Sequence, residues 1–497
     1  MLSGNRWLLA GLASTLVAAA LAAPTLATAQ AVMGPTELGQ QAMAEGRYDE
    51  ALKHFQEARK SQPPSAGLWT WIGTAYLQKG SPGEAEKALK QALALDPKSA
   101  VANNNLGNCY LAEGRLAPAE RCYLRAAKLD PRSSDAACNL AGLYERRGKA
   151  ETAWGYYTRA LKLKPDDVEA HLAFGHSLQR SGEVEKALRE YEAARQLSPG
   201  DTKLLNTLGL LYAKLKRHAE ARQRYEEALK YEATNAEALA GLGLALYRLG
   251  QLDEAMRLLK EAQALDPENA AARDNLGLVL AAQGNYEGAA GIYEAALARK
   301  HDDPVTLHNL GSVRLQQGRV GEAVELLRKA VQFDPRLAEA QVNLAVALER
   351  AGQGDAALAQ WQEAARQCPR DPDVLAGLGK ALYEHQQHSE ALTACLRSLE
   401  LRDGNAPAHN TVGLIYLERG NLAGASSHFR AALKFSPQFP QALNNLGVVW
   451  ERSGKAEEAK QQYRKALEAD PDCAAARGNL DRLEKGEGTS GAEKAVG

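Results

Sequence analysis

The chain repeats itself every 34 residues from residue 32 to residue 473 without an insertion or a deletion, and Leu106-Gly107, Leu208-Gly209, Leu276-Gly277, Leu310-Gly311 and Leu446-Gly447 mark the phase. A period of this length cannot close around one core. Each unit is a supersecondary element whose apolar face only its neighbours can cover, so the units stack into a quasi-one-dimensional solenoid. Such an object offers long surfaces and no set of converging loops, which directs a functional reading toward binding. The length of 497 residues then says nothing about domain number.

With Val32 as position 1, thirteen units end at Cys473. Position 8 is Gly or Ala in every unit, from Gly39, Gly73 and Gly107 through Ala141 and Ala345 to Gly447. Position 20 is always Ala, position 27 is Ala except at Ser398, and position 24 is large, as at Phe55, Tyr123, Tyr191, Trp361, Phe429 and Tyr463. Small residues facing large ones form a packing code. Apolar positions 4, 7, 8 and 11 follow one helical face, and positions 20, 24 and 27 follow a second. Gly at position 15, as at Gly80, Gly114 and Gly284, closes the first helix in the left-handed region open to a residue without Cβ. Asp-Pro near position 32, as at Asp96-Pro97 and Asp334-Pro335, ends the second, because a residue before Pro is pushed out of helical geometry.

In these residues the chain resembles the tetratricopeptide repeat family, whose pattern is matched by Trp69, Ile72, Gly73, Tyr76, Ala85, Leu89, Ala92 and Pro97, and the resemblance spans residues 32–473. It implies an all-α, right-handed superhelical solenoid of thirteen helix-turn-helix units, with the first helices lining an inner groove that binds partners. Residues 474–485 read as a capping helix that completes an array over 30–485, with Leu480 and Leu483 on the covering face and Asp481, Arg482, Glu484 and Lys485 outside. The glycine-rich stretch 486–497 is expected to be disordered. Lys216 and Gln386 replace the turn glycine, and Ala233, His301 and Asp403 replace the proline. The unit 372–405, with Gln386, Cys395, Ser398 and Asp403 all off pattern, reads either as a hinge or as a tolerated weak repeat.

Residues 1–29 have the layout of a cleavable signal peptide: Arg6, a run without charge from Trp7 to Ala23, and Ala27-Thr28-Ala29 before a mature start at Gln30. The first cysteine is Cys109, so no lipid-anchoring cysteine follows the cleavage point, and no later segment is apolar enough to span a membrane. The expected location is periplasmic or secreted. Sixty basic against 61 acidic residues leave no global field for nucleic acid. Cys109, Cys122 and Cys138 are read as compact core residues or as partners in a local disulfide.

A helical wheel centred on positions 4, 7, 8 and 11 turns positions 2, 5, 6, 9, 12 and 13 away from the packing. Position 6 is Asn at Asn105, Asn139, Asn275, Asn309, Asn343, Asn445 and Asn479, and position 5 adds Asn104, Asn206, Asn410 and Asn444. An amide both donates and accepts, so such a ladder suits an extended peptide backbone; it resembles the asparagine ladder in the repeats of the nucleocytoplasmic O-linked N-acetylglucosamine transferase. Trp71, Ala173, Thr207, Gly241, Gly377 and Thr411 interrupt it, and Trp71 is either a partner contact or packing. Position 13 is basic at Arg146, Arg180, Lys214, Arg248, Arg350 and Arg452, which suits a carboxylate clamp, although acid-first and base-last helices such as Glu169 to Arg180 also answer the helix dipole.

His385 and His388 flank a turn and His301 lies near Asp302 and Asp303, but neither set has a third ligand at helical spacing. No nucleophile constellation is present. The reading is therefore a non-enzymatic envelope scaffold, without cofactor or metal, that binds proteins or extended peptide segments in assembling a secretion, pilus or polysaccharide-export system. The alternative is a guide that binds an envelope polysaccharide directly through amides and aromatics such as Trp71 and Tyr247.

Overall fold

The computed structural model describes residues 33–485; the expected signal peptide and C-terminal tail lie outside them. Among the described residues are twenty-six helices in thirteen consecutive pairs, followed by the single helix Ala474–Glu484. First helices occupy positions 1 to 13, as in Ala100–Ala112, and second helices positions 17 to 30, as in Leu116–Leu129; the opening helix, Pro35–Ala44, is shorter. The helices form two compact units, one ending at Ala245 and one beginning at Leu246. Within each, the two helices of a hairpin fold back on one another, and the second helix packs on the next first helix. First helices of successive repeats also touch, as Pro372–Glu384 touches Ala406–Glu418, while second helices stand farther apart. The first-helix side is therefore the inner side of each stack.

Position 8 against position 24 is the central contact. A Cβ added at Gly175 would lie 2.6 Å from the Tyr191 ring, and one at Gly447 would lie 2.5 Å from the Tyr463 ring. The ring fills the space that the missing side chain leaves, and Tyr123, Tyr191, Tyr463, Phe55 and Phe429 are fully buried as a result. The position-20 alanines sit at the crossing of the two helices and are likewise inaccessible, as at Ala51, Ala119 and Ala459. Burying one such ring contributes on the order of 2 kcal/mol of transfer free energy.

The turns explain why the period never slips. At position 15 the glycines adopt φ of 70° to 81°, and the Gly80 and Ser81 N–H groups donate to the Leu77 and Tyr76 carbonyls, the paired bonds that satisfy a helix C-terminus. Lys216 and Gln386 take the same conformation at φ 60° and make the same bonds, so these turns keep their geometry at a strain of roughly 1–2 kcal/mol each. At the other turn the Asp96 and Asp130 carboxylates accept from the N–H groups of Lys98 and Arg132. Position 34 caps the following helix wherever it is Ser, Asp or Asn, as when Ser99 accepts from Ala102 and Asn269 from Ala272.

The divergent repeat 372–405 is a regular hairpin. Cys395 is buried against Gly379 in place of the ring, and Ser398 donates to the Pro372 carbonyl at 2.6 Å, which satisfies the one hydroxyl among the position-27 alanines. All six cysteines are free thiols. Burial pushes Cys109, Cys138 and Cys395 up to about 12, so they behave as small hydrophobes. The final helix covers the last repeat with Leu480 and Leu483 as expected, but Arg482 does not point outward. Its guanidinium turns inward to the buried Glu451 carboxylate at 2.6 Å, whose second oxygen accepts from the Tyr463 hydroxyl at 2.9 Å. A helix that ends a stack has neighbours beyond the face that a wheel assigns to it.

Candidate functional site

The amides of positions 5 and 6 face neighbouring first helices rather than open solvent. Asn139 donates to Asn104 at 2.9 Å, Asn445 to Asn410 at 3.1 Å and Asn479 to Asn444 at 3.0 Å, each across one repeat plus one residue. Asn444 donates to Asn445 at 3.3 Å, which joins four amides into one chain. Asn105 instead reaches Thr74 at 2.9 Å, and Asn309 is hydrogen-bonded to Asp274. Asn104, Asn105 and Asn445 are buried, whereas Asn139, Asn275, Asn309 and Asn343 are half-buried. The wheel misplaces these positions because first helices converge on the inner side, where positions 5 and 6 fall into their interface. An unpaired amide there would be costly, and an amide-to-amide bond removes that cost while fixing the register of the stack.

The interruptions of the ladder are packing features too. Trp71 is half-buried and stacks on Phe55 with ring centroids 6.1 Å apart. Gly241 and Gly377 make room for the rings of Tyr225 and Trp361, each sixteen residues earlier, where a Cβ would collide with the ring. Tyr247, the other aromatic suited to a sugar face, lies under the Arg248 guanidinium at 5.3 Å.

Basic residues at position 13 serve the stack and remain accessible. Arg146, Arg350 and Arg452 each donate to the backbone carbonyl at position 12 of the preceding repeat, Leu111, Leu315 and Leu417, at 3.3 to 3.4 Å. That carbonyl belongs to a helix C-terminus, where a cation is favoured. Arg180 pairs with Glu145 at 3.3 Å with its side chain 70% exposed. In the unit ending at Ala245, exposed Arg146, Arg180 and Lys214 thus succeed one another, one per repeat, on the inner side. Leu210 lies one turn before Lys214 and is 47% exposed, a large apolar side chain at position 9. Sequence reading placed position 9 on this face but did not single out Leu210; an aliphatic residue at a predicted open position was the available signal.

His308 is a titratable rung of the ladder. His308 is buried, and its Nε2 accepts from the Asn343 amide at 2.8 Å. Burial holds the imidazole below its ordinary 6.5, against the opposing pull of Glu339 and of a hydrogen bond with Asn309. Burial and the neighbouring His409 lower His428 as well. For a depressed histidine the unfolded chain binds the proton more readily, so the stabilisation is complete above pH 6.5 and declines as pH falls below it. The melting temperature is therefore expected to drop as pH falls below 6.5, and His308→Asn, which supplies a non-titrating acceptor as Asn410 does, should flatten that drop. Thermal melts over a pH series check both, and equal pH slopes for the two chains would refute the assignment.

Among the described residues no group of three or more His, Cys, Asp or Glu is placed to hold a metal ion. His385 contacts Asp355 at 3.2 Å, and His388 contacts Glu418 at 3.0 Å, as separate pairs. No helix among these residues is long and apolar enough to cross a membrane.

The family model for the cilia and flagella-associated protein 70 C-terminal domain matches residues 13–204 and 168–376, and the model for the tetratricopeptide repeat matches residues 412–474. A search of curated proteins found no match. Among solved structures, a chain in the crystal structure of the APC/C hetero-tetramer Cut9-Hcn1 is 16% identical, with a TM-score of 0.47, over 90% of this chain and 89% of that one.

Proposed function

Since the chain belongs to the tetratricopeptide-repeat family, we propose that it is a protein-binding scaffold that holds extended segments of partner proteins against the face made by its first helices. The observation that carries this reading is the exposed row of Arg146, Arg180 and Lys214 with Leu210 beside it. Its chemistry fits a segment with acidic side chains and an aliphatic anchor: guanidinium groups take carboxylates through paired donors, and the leucine supplies apolar area. Stacked repeats hold this surface in place before any partner arrives, which spares its own side an ordering cost. The aromatics that a glycan guide would use are engaged, Trp71 with Phe55 and Tyr247 with Arg248, which favours a protein partner.

The setting we infer is the periplasm or the cell exterior. Arg6, the apolar run from Trp7 to Ala23 and Ala27-Thr28-Ala29 support export with cleavage before Gln30. There the scaffold would hold components of a secretion, pilus or polysaccharide-export assembly. In the full chain, Arg146, Arg180 and Lys214 changed to Glu together with Leu210→Ser should lower partner capture from envelope extracts by about tenfold or more, with helicity retained and the melting temperature lowered only by the loss of the Arg146 bond to Leu111 and the Arg180 pair with Glu145. Capture that is unchanged, or capture of envelope glycan in its place, would overturn the reading.

A further inference from the structure

A second surface lies in the unit beginning at Leu246, on the side of its second helices. Between the helices Gly354–Gln367 and His388–Leu401 runs a groove of about 700 Å³ whose floor is Leu375, Leu378 and Leu382 of the first helix between them. It exists because two side chains are missing. Two repeats earlier the equivalent positions, 28 of one unit and 23 of the next, are Leu297 and Leu326, which pack against the cluster of Leu307, Ala330 and Ala340. Leu93 and Cys122 occupy the same two positions around another cluster. Here both are alanine, Ala365 and Ala394, in the part of the array that departs furthest from the repeat pattern.

The rim is polarised. Arg366 and Arg397 stand near the C-terminal ends of the two second helices, and Glu390 stands near the N-terminal end of the latter. Arg366 pairs with Glu363 on its own helix; Arg397 is exposed and makes no ion pair among the described residues. A helix laid antiparallel to its two walls would set an acidic first turn against Arg366 and Arg397 and a basic last turn against Glu390. The dipoles of all three helices favour that same orientation. The walls from position 19 to position 29 run about 15 Å, or roughly three turns.

We propose that this groove receives an amphipathic helix of a partner protein, about three turns long, acidic in its first turn, with an apolar stripe against Leu378 in the space left by Ala365 and Ala394. This surface is independent of the inner-face reading. The test pans a displayed library of 14-residue amphipathic helices on the full chain and measures selected clones against variants. Clones with acidic first turns should emerge. Ala365→Leu with Ala394→Leu, which installs the residues that the chain itself uses at Leu297 and Leu326, should weaken their binding about tenfold or more at an unreduced melting temperature. Arg397→Glu should shift selection toward basic first turns, and the inner-face variant should bind the acidic clones undiminished. The proposal is overturned if no clone separates the wild type from the filled variant, or if selected clones carry basic first turns. It is equally overturned if the chain self-associates and the filled variant does not, since the occupant is then a second copy.

Discussion

Tyr123→Ala is expected to cost about 3–5 kcal/mol, as large aromatic-to-alanine changes in closed cores do. The ring is fully buried against Gly107, where no side chain can move in to take its place. Its hydroxyl donates to the Asn108 Oδ1 at 2.7 Å, so the truncation also removes the partner of a part-buried amide. In a stacked array the loss stays near its origin, because each repeat contacts mainly its neighbours. Hydrogen exchange should then show protection lost over the repeats around Tyr123 while the unit beginning at Leu246 keeps its own. Tyr123→Phe, which removes only the hydroxyl, should cost about 1 kcal/mol. An alanine variant that melts within about 1 kcal/mol of the wild type would contradict the packing code.

Arg482→Met should destabilise the last repeats by a comparable amount, about 3–5 kcal/mol, for an electrostatic reason. The Glu451 side chain is 2% exposed, and Arg482 is the cation paired with it, at 2.6 Å between one pair of atoms and 2.8 Å between another. Without the guanidinium, an ionised carboxylate stays buried with the Tyr463 hydroxyl as its remaining hydrogen-bond donor. The double change Arg482→Met with Glu451→Leu removes both charges and should recover most of the loss, because a well-packed apolar pair is often as stable as a buried ion pair. Denaturant melts of the three variants decide it. A single variant no less stable than the double would show that the pair does not secure the capping helix.

These residues also show where the sequence was legible. The hairpin architecture followed from positions 8, 15, 20, 24 and 27, because each answers a local demand, either a close helix crossing or a left-handed turn. The caps at position 34, which sequence reading did not single out, carried an equally local signal in Ser99, Asp201 and Asn269, since Ser, Asp or Asn before an apolar run marks a helix start. The inner face was harder. A wheel gives each helix one covered side, whereas a first helix here touches its own partner and the first helices before and after it, which encloses Asn104 and Asn445. Gly241 and Gly377 looked like gaps in a binding ladder until Tyr225 and Trp361 were found to fill them. Ala365 and Ala394 stand 29 residues apart, and only stacking shows that they empty the same groove.

On the proposed reading the amides join repeats, while the partner meets exposed Leu210 and the bases Arg146, Arg180 and Lys214, of which the first two also bond the preceding repeat. The direct test is photo-cross-linking in envelope extracts, with a benzophenone side chain at Leu210 or at Leu124, an exposed leucine on a second helix. The account predicts discrete protein adducts from position 210 that are lost when Arg146, Arg180 and Lys214 are changed to Glu, and none from position 124. Adducts from position 124 alone would contradict it.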